Sequence, residues 1–221
     1  MTQPDPSPKA AATCAQIRRA AEKIFAEKGY RAMTLREVTA EAGVNLAAVN
    51  YHFGSKRDLM AAALQSRIEP VNKKRLRRLS ERIAQHAPAP VPLGEIFESL
   101  FRPIFETARS EDGGACFTKI VGRAIMDPDA FMGSMHRELF SELVKIYIGE
   151  LQRTCPELSD DEVRFRFYLA VSLMIGVMTD TKRLKNFTSG KFSSDDIDTV
   201  VQQLVGFAVA GFETTETPKL K

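Results

Sequence analysis

Between residues 34 and 56 the chain reads TLREVTAEAGVNLAAVNYHFGSK, and the side chains best suited to recognition lie here. Asn45 and Asn50 each carry an amide that both donates and accepts hydrogen bonds. Leu46, Ala47 and Ala48 offer small apolar surface. That set suits contact with base edges and thymine methyls better than it suits bond breaking. The elements needed to present it are legible nearby. Thr34 and Glu37 form an S/T-x-x-E capping box, which predicts a helix starting at Thr34. Leu35, Val38, Thr39 and Ala42 share its inner face, and Gly43 ends it in a left-handed C-cap. Val44 plugs the turn, and Asn45 is a good N-cap for a second short helix over residues 46–52. Two short helices about a tight glycine turn make a helix-turn-helix, whose second helix fits the DNA major groove.

The run AGVNLAAVNYHFGSKRDL resembles the DNA-binding segment of the TetR family of bacterial transcriptional repressors. The resemblance rests on Gly43 and Val44, on Tyr51, His52 and Phe53, on Gly54, Ser55 and Lys56, and on Leu59. The preceding Thr34, Leu35, Arg36, Glu37 and Val38 match as well. It covers residues 13–65 and implies double-stranded DNA as the partner. It also implies backbone-positioning phosphate contacts from Thr34, Arg36, Tyr51, His52 and Lys56. Lys56 has a local reason too: Ser55 and Asp58 form a second capping box, and the first turn of that helix favours a phosphate. The family commonly has Tyr where this chain has Asn50. Specificity is then expected to lean on Asn45, Asn50, Arg36 and DNA shape. The stretch NLAAVNYHFGSK also resembles a subgroup that includes fatty-acid-responsive repressors.

Charge is divided along the chain. Residues 1–90 carry 16 Lys and Arg against 8 Asp and Glu, whereas residues 91–221 carry 15 against 20. A basic first part and an acidic remainder suit a polyanion at one end only. Cys14, Cys116 and Cys155 are scattered without C-x-x-C spacing, so neither a disulfide framework nor a metal site is expected, and a reducing cytoplasm is the natural home. No apolar run reaches the length of a membrane span. No nucleophile elbow, metalloprotease helix, phosphate loop or dinucleotide fingerprint occurs, so a catalytic role and a cofactor are not expected. The rival reading is a non-specific architectural DNA-binding protein.

The expected fold class is all-α: a three-helix helix-turn-helix domain at the N-terminus, then a helical ligand-binding and dimerisation domain. Residues 1–12, with three prolines, are expected to be a disordered arm. Thr13 should cap a helix to residue 28 that packs across the helix-turn-helix, and residues 13–65 form the first domain. Phe25, Leu35, Val38, Val44, Val49 and Phe53 are its predicted core. Residues 66–214 form the second domain and 215–221 a tail. Pro70 should kink or end the helix begun at Ser55. Beyond it, Lys73, Lys74, Arg75, Arg77, Arg78 and Arg82 read as the solvated face of an amphipathic helix, with an extra nucleic-acid contact as the alternative.

Residues 86–94 read as a Pro-rich linker, and further helices span 93–109, 115–126, 128–154, 159–178 and 194–212. Asp127 and Pro128 should cap the third of these. The stretch 167–178 is apolar nearly all round, so it needs cover on every side. The resemblance implies that the two C-terminal helices of two chains supply it as a four-helix bundle. A homodimer would then set two recognition helices on a palindrome. Phe97, Phe101, Phe105, Phe117, Ile120, Arg123, Met126, Phe131, Tyr147 and Met174 are the candidates to line an effector pocket, with plain core as the other reading of that stripe. Arg123 would hold a carboxylate or phosphate head group, or else pair with Glu or Asp. The implied effector is small and hydrophobic, with acyl compounds the first class to consider.

Overall fold

In the computed structural model, residues 8–111, 114–126, 129–180 and 182–214 are described, together with the side chains of all of these but Met126. They form ten helices: α1 (Pro8–Ala32), α2 (Leu35–Ala42), α3 (Leu46–Phe53), α4 (Lys56–His86), α5 (Leu93–Ala108), α6 (Gly114–Met126), α7 (Ala130–Thr154), α8 (Asp160–Met178), α9 (Arg183–Phe187) and α10 (Ile197–Glu213). No strand occurs among the described residues.

The chain divides into two compact units, and the division is not sequential. The first contains residues up to Glu69 together with Cys116–Leu139, and the second contains Pro70–Ala115 and everything from Phe140. The expected boundary near residue 65 falls at Pro70 instead, and a segment assigned to the second domain joins the first.

Apolar spacing explains the first unit. Ile17, Ala20, Ala21, Ile24 and Phe25 line one face of α1 and pack with Val38, Ala42, Val49, Leu59, Met60 and Ala63. Leu35, Val44 and Phe53 are partly buried against that cluster, completing the expected core. Ile120, Phe131, Met132 and Met135 from the returning segment belong to it too. Helix α1 begins earlier than expected: residues 8–12 are already helical, and the Thr13 hydroxyl donates to the Lys9 carbonyl within the helix instead of capping it. Residues 1–7 of the expected arm lie outside the described residues. Gly29 does break the helix, at φ 77°, where a side chain would be strained. The buried Glu22 of α1 meets Arg67 of α4, whose Nη2 donates at 2.6 Å and Nε at 2.8 Å.

Helix α4 continues through Pro70 as one helix. Proline removes one helical hydrogen bond, which costs about 3 kcal/mol, and burial of Ile68, Val71 and Leu79 offsets it.

In the second unit α10 packs chiefly on α5 and also on α8. Phe97 stacks on Phe101, with ring centres 5.6 Å apart, and meets Phe212 at 5.2 Å. Ser159 and Glu162 form both bonds of the expected capping box at the start of α8. Arg166 donates to the carbonyls of Gly211, Phe212 and Thr214, closing the C-terminus of α10. The buried Glu150 accepts from the Val91 N–H at 3.0 Å and pins the Pro-rich connection after α4. Gly114 opens α6 beside the Ala108 carbonyl, where a Cβ would sit 2.6 Å from the oxygen. The short α9 was not expected, and α10 starts at Ile197 behind Asp196, which caps the Thr199 N–H. The expected Asp127 and Pro128 cap lies outside the described residues.

Candidate nucleic-acid interface and effector domain

The turn between α2 and α3 has the geometry its sequence demands. The Thr34 hydroxyl accepts from the Glu37 N–H at 3.3 Å, and the Thr34 N–H donates to the Glu37 carboxylate at 3.0 Å. Lys28 of α1 also pairs with Glu37, and this contact, together with the bonds from Thr34, holds the carboxyl down at about 2. Gly43 is left-handed at φ 62°, and its N–H closes the last turn of α2. The Asn45 side-chain oxygen accepts from the Ala48 N–H at 2.9 Å, as an N-cap does. The amide NH₂ of Asn45 therefore points away from the cap as a donor.

These caps fix which residues face outward. Asn45, Leu46, Ala47 and Asn50 are exposed, Ala48 is half-buried, and Val49 is fully buried. Tyr51 is 85% exposed, an unusual position for a tyrosine, with its ring edge-to-face to that of His52 at 5.1 Å between centres. Arg36 is exposed and His52 half-buried. Lys56 lies in the first turn of α4, with its ammonium 4.5 Å from the centre of the Tyr30 ring and 3.5 Å from the Arg31 carbonyl. The hydroxyl of Thr34 is committed to the capping box, so its first contribution is to start α2.

The ten candidates for an effector pocket do not form one set. Phe97, Phe101, Phe105, Tyr147 and Met174 are buried in the second unit. Phe117, Ile120, Arg123 and Phe131 belong to the first, and Ile120 and Phe131 are part of its core. Arg123 is exposed, and among the described residues its guanidinium donates to the Glu27 carbonyl at 2.9 Å. The side chain of Met126 lies outside the described residues.

The basic stretch of α4 corrects the sequence reading at one position. Arg78 pairs with Glu106 at 3.0 Å and Arg82 with Glu95 at 3.2 Å, while Arg77 faces Glu81 on the solvent side. Arg75, expected on that solvated face, is 3% exposed. Its Nε donates to the Leu100 carbonyl at 2.7 Å, Nη1 to Asn72 Oδ1 at 3.4 Å and Nη2 to the Met174 sulfur at 3.4 Å. Burial pulls its pKa down to about 10. The Tyr147 hydroxyl lies 2.9 Å from Ser99 Oγ and donates to the Arg75 carbonyl at 3.2 Å; burial pushes it up to about 12. Helices α4, α5, α7 and α8 thus bring a polar cluster into an apolar interior. The hint in sequence is that Arg75 stands four residues from both Val71 and Leu79, on the apolar side of the helix. A separate groove of about 350 Å³ between α7 and α8, with Lys145 and Arg164 on its walls, shares no residue with the predicted pocket.

Two family models match the chain. Residues 17–63 match the one described as bacterial regulatory proteins, tetR family, and residues 98–211 match the tetracyclin repressor-like C-terminal domain. A curated relative, the HTH-type transcriptional dual regulator CecR of Shigella flexneri, is 30% identical over 131 residues. That match spans 58% of either chain. The fatty acid degradation regulator FadR of Bacillus halodurans superposes with a TM-score of 0.62 at 16% identity, covering 95% of this chain and 98% of that one. FadR of Bacillus subtilis in complex with stearoyl-CoA gives 0.61 at 18% identity, over 89% and 98%. A SmeT–triclosan complex gives 0.63 at 17% identity, over 95% and 100%. At these identities the structural likeness speaks for the fold alone.

Proposed function

Because the chain belongs to the tetR family of bacterial regulatory proteins, we propose that it is a ligand-responsive, DNA-binding transcriptional repressor that acts as a homodimer on a palindromic operator. The observation that carries this reading is the capped α2-turn-α3 unit, which buries Val49 and turns Asn45, Leu46, Ala47, Asn50 and Tyr51 outward. The N-terminal residues of α3 read base edges, while Arg36, Tyr51, His52 and Lys56 set the register on phosphates, with Thr34 placing α2. The pairing of Arg78 and Arg82 with carboxylates supports a single DNA-binding head over an architectural protein with widely spread basic charge. Operation is by binding in the cytoplasm, without catalysis.

Dimerisation is assigned to α8 and α10. One face of α8 buries Val163, Phe167, Ala170, Met174 and Met178 in its own chain. The other exposes Phe165, Tyr168, Leu169 and Leu173, and α10 exposes Phe207. Apolar surface of that extent calls for a second copy. The effector is a small hydrophobic compound held in the apolar interior of the second unit, around Phe97, Phe101, Phe105, Tyr147 and Met174. The stearoyl-CoA and triclosan complexes of its structural neighbours support this class. A ligand that binds best when the two heads no longer match the operator spacing lowers DNA affinity by linkage.

Selection of bound sequences from a random duplex pool tests the function. A palindromic motif, lost when an acyl thioester or another apolar compound is added, is the expected result. Binding without any motif contradicts a specific repressor and favours the architectural reading.

A further inference from the structure

The second unit spends an arginine in its interior without a counter-charge. Arg75 is 3% exposed, and among the described residues no carboxylate forms an ion pair with it. Its neighbour Arg78, one turn along α4, pairs with Glu106, and Arg102 pairs with Glu98. A buried guanidinium is costly unless it is paired, because its hydration is lost. What the chain supplies is uneven. The Leu100 carbonyl takes Nε at a good 2.7 Å. The two terminal nitrogens face weaker acceptors, an amide oxygen at 3.4 Å and a thioether sulfur at 3.4 Å. Those terminal nitrogens are the pair that grips a carboxylate end-on.

The surroundings suit an organic ligand better than a bare ion. Phe97, Phe101, Phe167 and Met174 are all buried in the same unit, and the hydroxyl of Tyr147, itself packed on Phe167, reaches the Arg75 backbone. Met174 is the adaptable member: an unbranched side chain with three rotatable bonds can withdraw its sulfur and leave both the space and the N–H to a ligand.

We propose that Arg75 is the anion anchor of the effector site, so that the effector is an organic acid whose carboxylate is taken by the two terminal nitrogens of Arg75 and whose apolar body replaces Met174 in the interior. This rests on the reading of the second unit as the effector domain. The carboxylate replaces a thioether as the acceptor, so affinity depends on the ligand's charge as well as its apolar area.

The test uses the full-length wild-type chain and two matched probes, dodecanoate and its neutral methyl ester, with binding followed by calorimetry and by thermal melting. The expected result is binding of the acid at least about tenfold tighter than the ester, as a charge-assisted pair of hydrogen bonds implies. In Arg75→Met that preference disappears, while a Met174→Ala variant keeps it. Equal binding of acid and ester to wild type, no binding of the acid, or an unchanged preference in Arg75→Met each overturns the proposal. The wild-type comparison needs no variant to fold. Duplex selection by the wild-type chain keeps the two readings apart. A selected palindrome without carboxylate binding removes the anchor alone, whereas carboxylate binding without any selected duplex removes the regulator and leaves the anchor standing.

Discussion

Replacing Arg67 with methionine should destabilise the DNA-binding head more than any surface change, and more than removing both members of its pair. Glu22 of α1 has a side chain only 4% exposed, and Arg67 of α4 reaches it with two nitrogens while remaining 28% exposed itself. Ser66 Oγ lies 3.5 Å from the other carboxylate oxygen, too far to take over. In Arg67→Met the carboxylate stays buried without its cation. Such a break costs about 3–5 kcal/mol, and the partial exposure of Arg67 places this case near about 3. For a chain of this size that corresponds to a melting shift of roughly 6–12 °C.

Changing Glu22→Leu together with Arg67→Met removes both charges and substitutes apolar volume. That double variant should lie within about 1 kcal/mol of wild type. The assay is amide hydrogen exchange at the head's core positions, such as Phe25, Val38 and Leu59, read in the wild type, both single variants and the double variant. A loss below about 0.5 kcal/mol in Arg67→Met, or a double variant as unstable as that single one, would refute the argument that the pair's main effect is to neutralise a buried carboxylate.

Three shorter predictions follow from the same structure. Thr34→Ala removes the acceptor for the Glu37 N–H and should cost the head about 1 kcal/mol, measurable by urea unfolding. The Glu37 carboxyl is held at about 2, below its ordinary 4.5, by Lys28 and Thr34. Its stabilisation is therefore complete above pH 4.5 and is lost as pH falls towards 2; Glu37→Gln should flatten that acid limb, and an unchanged limb would contradict it. Phe207→Glu places a charge on the exposed face of α10 and should yield monomers with intact helicity in sedimentation; an undisturbed dimer would move the interface elsewhere.

Local signals in the sequence survive into the structure, and signals that depend on distant helices do not. The boxes at Thr34 and Ser159, the left-handed Gly43 and the Asn45 cap are set by residues within four positions of one another, and all form. Pro70 does not end the helix, because a helix interior tolerates the missing bond when packing on both sides holds it, which no local rule reveals. Arg75 sits in a run of cations that reads as a wet face; its burial is decided by Leu100 and Met174, on helices 25 and 99 residues away. The predicted pocket joined residues by their type and by their place on the helices between Leu93 and Met178. It could not register that residues 116–139 return to the first unit, which makes Ile120 and Phe131 core of the DNA-binding head.

Whether the exposed start of α3 reads DNA symmetrically in two copies is decided by selecting duplexes with the wild-type chain and with Ala47→Arg. Ala47 is exposed two residues beyond Asn45, and an arginine there can take guanine N7 and O6. A symmetric pair of α3 helices selects a palindrome whose two half-sites change at the same position, towards guanine, in the variant. An unchanged motif, or a change in one half-site only, would contradict it.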